Sequence, residues 1–101
     1  MATTPLLAAA EDHRAGVTAL LRDLVHTPSL ASQERDVVAL LTAHMEGLGY
    51  DEVMLDPFGS VIGRIGSGPR VIVMDSHIDT VGVGARDEWA RDPFELSLIH
   101  I

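Results

Sequence analysis

The residues best suited to chemistry are His77 and Asp79, at the end of the run Val71-Ile72-Val73-Met74-Asp75-Ser76-His77-Ile78-Asp79-Thr80-Val81. In an extended backbone, side chains at i and i+2 point to the same face, so an imidazole and a carboxylate stand side by side. Neutral imidazole nitrogen is a zinc ligand, and its other ring nitrogen needs a hydrogen-bond acceptor to hold the ring. Asp79 is placed to be that acceptor. The competing reading is a strand-end histidine hydrogen-bonded to its neighbour, and the triplet alone leaves both readings open. A zinc site needs about three or four protein ligands, and the other histidines do not supply them from the sequence. His13 and His26 fall on or at the end of the first helical stretch, His44 lies on the apolar stripe of the second, and His100 is in the tail.

The elements that must position the pair follow from periodicity. Residues 5–26 read as one helix, with Val17, Leu20, Leu21, Leu24 and Val25 on one stripe. Thr4 caps its start ahead of Pro5, and Thr27-Pro28 ends it, because the residue before proline avoids helical dihedrals. A second helix is expected over 32–47, with Ser32 as N-cap and Gly47 or Gly49 as the left-handed stop. The period then changes to that of strands. Residues 51–55 and 60–65 are expected strands joined by a type I turn at Asp56-Pro57-Phe58-Gly59. After the Gly66-Ser67-Gly68-Pro69 turn, residues 70–75 read as a third strand, apolar enough to be covered on both faces. The fold class expected is α/β, with two N-terminal helices packed on a mixed sheet and His77 just past the end of a strand, where open sheets place their sites.

Composition narrows the function classes. Fifteen acidic residues against seven basic ones, all arginine, give a net charge of −8. That balance disfavours nucleic acid and anionic membranes as partners. No cysteine is present, so zinc would have to be held by histidine and carboxylates. No apolar stretch approaches the ~18 residues of a membrane span, and the N-terminus lacks a basic signal-peptide region, so a cytoplasmic location is expected. The Gly66/Gly68 and Gly82/Gly84 pairs do not open a helix after a strand, as a phosphate loop requires, and read as turns. No Gly-x-Ser-x-Gly elbow accompanies Ser76. In the segment Asp87–Phe94, Trp89 and Phe94 read as anchors of a surface loop to the core.

Ser76-His77-Ile78-Asp79-Thr80-Val81, followed by Trp89 and Asp92-Pro93-Phe94, resembles the dizinc amidohydrolase and peptidase family that includes acetylornithine deacetylase, succinyl-diaminopimelate desuccinylase and carboxypeptidase G. The resemblance covers residues from about 10 to 95, and the run Asp79–Gly84 looks closest to the selenium-metabolism-linked hydrolases. It implies that His77 is a ligand of one zinc and that Asp79 orients it and supports catalysis. It further implies two Zn2+ per complete site, with Co2+ as a substitute, and hydrolysis of amide bonds in acylated amino acids or small peptides. The family's bridging Asp, general-base Glu, further carboxylate ligands and distant His have no counterpart here. Residues 1–95 are therefore expected to be the N-terminal part of a catalytic domain, inactive as a fragment. Residues 96–101 are expected to be a tail of doubtful origin, from a frame change, an assembly junction or translated adapter, or a real edge strand. The alternative class is a small non-catalytic α/β binding or interaction module.

Overall fold

The computed structural model describes residues 4–96 and shows a mixed α/β chain of two compact units. Among the described residues, one comprises 4–27 with 83–96, the other Pro28–Gly82. Residues 97–101, which hold His100 and most of the expected tail, lie outside the described residues.

In the first unit the expected single helix is two, α1 (Pro5–Asp12) and α2 (Arg14–His26). Thr4 caps α1 as expected, its hydroxyl accepting the Leu7 N–H at 3.2 Å, with Pro5 in the first turn. The break falls at His13, whose φ of −93° and ψ of −2° lie in the bridge region. There the His13 N–H turns to the Ala10 carbonyl, and the helix restarts when the Val17 N–H reaches the His13 carbonyl. A bidentate Arg14–Glu11 pair, at 2.7 and 2.8 Å, spans the break and holds the Glu11 carboxyl below its usual range. Neither Gly nor Pro marks position 13, so periodicity carries straight through it. α2 ends at His26, with Thr27 extended as its C-cap, as the following proline requires.

In the second unit α3 (Arg35–Gly47) packs on an antiparallel hairpin of β1 (Glu52–Leu55) and β2 (Val61–Arg64). Val37, 1% exposed, is its buried apolar centre. Ser32 is not the N-cap. It has a φ of +67°, and its N–H donates to the Glu34 carboxylate, while Glu34 itself occupies the cap position. A left-handed Ser32 cannot offer the extended cap geometry that lets a hydroxyl reach back to the first turn. Gly49, with φ +77°, supplies the left-handed stop after α3.

The hairpin register pairs Glu52 with Arg64, Val53 with Gly63, Met54 with Ile62 and Leu55 with Val61. A Glu52–Arg64 ion pair at 3.1 Å joins its open end. The turn closes through Gly59 N–H to the Asp56 carbonyl, with Gly59 left-handed at φ +89°. The Asp56 carboxylate accepts the Ser60 N–H at 2.8 Å and the Phe58 N–H at 2.9 Å. These bonds favour its charged form and lower its pKa, the Ser60 bond most. A carboxyl lowered by folding stabilises the native state above its unfolded pKa and loses that contribution as pH falls through the native one. Amide protection at Phe58 and Ser60 is therefore expected to weaken once pH drops below about 4, and Asp56→Asn is expected to remove this pH dependence. Hydrogen exchange between pH 2.5 and 6 measures both.

The third strand does not form. Residues 70–79 carry no ladder hydrogen bonds among the described residues, and Val71, Ile72, Val73 and Met74 are 83–90% exposed. Among the described residues the sheet is two-stranded and antiparallel rather than mixed. Alternation and apolar content mark what a segment could pair with, but a strand exists only where a partner edge and covering layers meet it. An exposed apolar extended run is also a pairing hazard. The 101-residue chain is expected to self-associate in a concentration-dependent way, and Ile72→Lys to suppress it. Light scattering at constant ionic strength tests this; unchanged association in the lysine variant would assign it to another surface.

Candidate functional site

His77 and Asp79 lie on this extended stretch, beyond the expected strand rather than at the end of a formed one. The structure brings them together. His77 Nδ1 is 3.0 Å from the Asp79 backbone carbonyl oxygen and 3.2 Å from Asp79 Oδ1. Both partners are acceptors, an arrangement that favours, in the neutral imidazole, the tautomer with the proton on Nδ1 and the Nε2 lone pair free. The imidazole is 84% exposed and the Asp79 carboxylate 47%, so the free nitrogen is open to a ligand.

What holds this stretch is a residue that spacing did not single out. Ser29, 2% exposed, follows Pro28 in the segment between α2 and α3. Its hydroxyl donates to the Ile78 carbonyl at 2.9 Å, and its own carbonyl accepts the Thr80 N–H at 2.8 Å. Leu30 and Thr80 form an isolated parallel bridge beside it. The segment after α2 thus holds the backbone on either side of Asp79, at the Ile78 carbonyl and at the Thr80 N–H. The only local signal was a small polar residue behind a helix-stopping proline; nothing in the sequence links position 29 to position 78.

The donor chemistry fits one imidazole ligand of a zinc site with its ring already oriented. It does not fit a whole site. Among the described residues no group of three His, Cys, Asp or Glu side chains comes together to hold a metal, where zinc takes about three or four protein ligands. His13 lies at the α1–α2 break, His26 ends α2 and His44 is half-buried on α3. Trp89 follows a short 3-10 turn at Arg86–Glu88. It is not sunk in a core as expected. It is about half exposed, and its indole N–H donates to the Val83 carbonyl at 2.7 Å, while Arg86 pairs with Asp92 at 3.3 Å. This loop is held by its own polar contacts. Gly66 and Gly84, at φ +84° and +70°, serve as turns.

The chain is similar to a set of proteins much longer than itself. It is 47% identical over 90 residues to the uncharacterised protein YgeY of Escherichia coli (strain K12), a match that takes in 89% of this chain and 22% of that protein. Over 83 residues it is 36% identical to a succinyl-diaminopimelate desuccinylase of Magnetococcus marinus, covering 79% of this chain and 22% of the enzyme. Over 62 residues it is 37% identical to a [LysW]-lysine hydrolase of Deinococcus radiodurans, covering 61% and 17%. The chain thus spans about a fifth of the length of the curated relatives it matches. The functional names among these relatives are those of hydrolases. No protein-family model and no solved structure matches the chain.

Proposed function

We propose that this chain is part of a zinc-dependent hydrolase that cleaves amide bonds in acylated amino acids or small peptides. The observation that carries the reading is the His77–Asp79 pair, with Nδ1 held by two acceptors and Nε2 left free. The named hydrolases among the relatives support the reaction class. In this reading His77 is a ligand of one metal and Asp79 orients it. Zinc at such a site supplies Lewis acidity toward a carbonyl and makes water nucleophilic at neutral pH. The chain's own contribution is to hold one imidazole in a single tautomer and to keep a carboxylate behind it. The remaining ligands and the general base would come from outside the described residues. The substrate would be a small acylated amino acid, in a cytoplasmic setting; no helix of the described residues is long and apolar enough to cross a membrane.

The test is metal analysis together with hydrolysis of N-succinyl and N-acetyl amino acids. It is run on a protein that joins this segment to the rest of such a hydrolase. Bound zinc and turnover that both depend on His77 are the expected result. A cooperatively melting 101-residue chain with no metal response, together with metal-independent turnover in the longer protein, would instead favour the non-catalytic binding module.

A further inference from the structure

We propose that Ser29 is a positioning residue that fixes the tautomer and orientation of His77 through the Ile78 peptide. The inference rests on the reading of His77 as a ligand and deepens it. A buried hydroxyl in a chain with so little buried surface is costly unless it is bonded. Ser29 is one of two residues that reach full burial among those described, and its single hydroxyl is committed to the Ile78 carbonyl. That carbonyl belongs to the peptide linking Ile78 to Asp79, the residue whose carbonyl and carboxylate both face His77 Nδ1. On its other side the Thr80 N–H is tied to the Ser29 carbonyl. Residues 78–80 are therefore clamped at two consecutive peptide groups across 49 residues of sequence. Otherwise this stretch makes no ladder hydrogen bonds among the described residues. Without the hydroxyl, the Ile78–Asp79 peptide loses its own anchor and can turn, restrained only through the neighbouring bond from the Thr80 N–H to the Ser29 carbonyl. Rotation carries the Asp79 acceptors off Nδ1 and lets the proton move to Nε2, the nitrogen a metal would need.

The experiment is long-range 1H–15N correlation spectroscopy of the His77 ring in the 101-residue chain, without metal and at alkaline pH. The Nδ1–H tautomer is expected to dominate in the wild-type chain. In Ser29→Ala the Nε2–H tautomer is expected to become the majority species, while amide protection in the hairpin at Val53 and Ile62 stays unchanged. Ser29→Cys keeps the volume but donates only weakly; it gives the same shift and decides the matter if the alanine variant does not fold. An Nε2–H majority in the wild-type chain overturns the proposal. So does an unchanged tautomer in the variants, or a shift that comes only with loss of hairpin protection. Zinc content and turnover of the longer protein are read separately. An unchanged tautomer beside normal zinc sinks the Ser29 role alone. A tautomer shift beside zinc that ignores His77 sinks the hydrolase reading alone.

Discussion

Replacing His77 by alanine in a protein that carries this segment within a complete hydrolase is expected to lower metal occupancy at one site and reduce kcat/KM by more than about 100-fold. The bound follows from the weaker perturbation next to it. Removing a group that only orients a metal-bound histidine costs roughly 10–100-fold in affinity or activity, and removing the histidine must cost more. Asp79→Asn provides the internal scale. Nδ1 has two acceptors on Asp79, the backbone carbonyl at 3.0 Å and the carboxylate at 3.2 Å. The substitution leaves the carbonyl in place, so as far as orientation goes its effect belongs at the lower end, about tenfold. A larger loss would mean that the carboxylate itself takes part in catalysis. Elemental analysis and steady-state kinetics on both variants separate these outcomes. Full metal content and normal turnover in His77→Ala would remove His77 from the site.

Gly63→Ala is expected to destabilise the second unit by about 1–3 kcal/mol, as overpacking of a fitted contact does. Gly63 lies on β2 opposite Val53. A Cβ built there stands 2.6 and 2.7 Å from two ring carbons of Tyr50 and 2.8 Å from the Met45 sulfur. The thioether can swing aside cheaply. The Tyr50 ring is held by a backbone tied to the end of α3, where the Tyr50 N–H donates to the Met45 carbonyl at 3.2 Å. The glycine is therefore a packing requirement set by the Tyr50 ring, in the connection between α3 and β1, lying over the hairpin. Urea titration reads the cost. In Tyr50→Ala the space opens, and adding Gly63→Ala should then cost little, a coupling that a double-mutant cycle measures directly. Equal costs in both backgrounds would show that the ring is not what the new methyl meets.

Much of the local structure was legible. Thr4-Pro5, Thr27-Pro28, Gly49 and Asp56-Pro57-Phe58-Gly59 each act through dihedral limits or short-range hydrogen bonds carried by the residues themselves. β1 and β2 came within a residue of their expected bounds for the same reason, since a tight turn fixes the register of its own flanks. The break at His13 and the turned Ser32 were not legible. Both depend on side-chain pairings, Arg14 with Glu11 and Glu34 with the Ser32 N–H, that compete evenly with a continuous helix or an ordinary cap.

The site divides in the same way. The sequence by itself determined that an imidazole and a carboxylate two residues apart would meet, because the period of extended backbone puts them on one face. Tertiary structure decided the rest. It left Val71–Met74 without a neighbouring strand among the described residues, since pairing is a property of two segments and not of one. It brought Ser29 to Ile78 across 49 residues, a meeting that no local propensity encodes. A short-range rule can place His77 beside Asp79, but only a long-range contact can hold the peptide between them still.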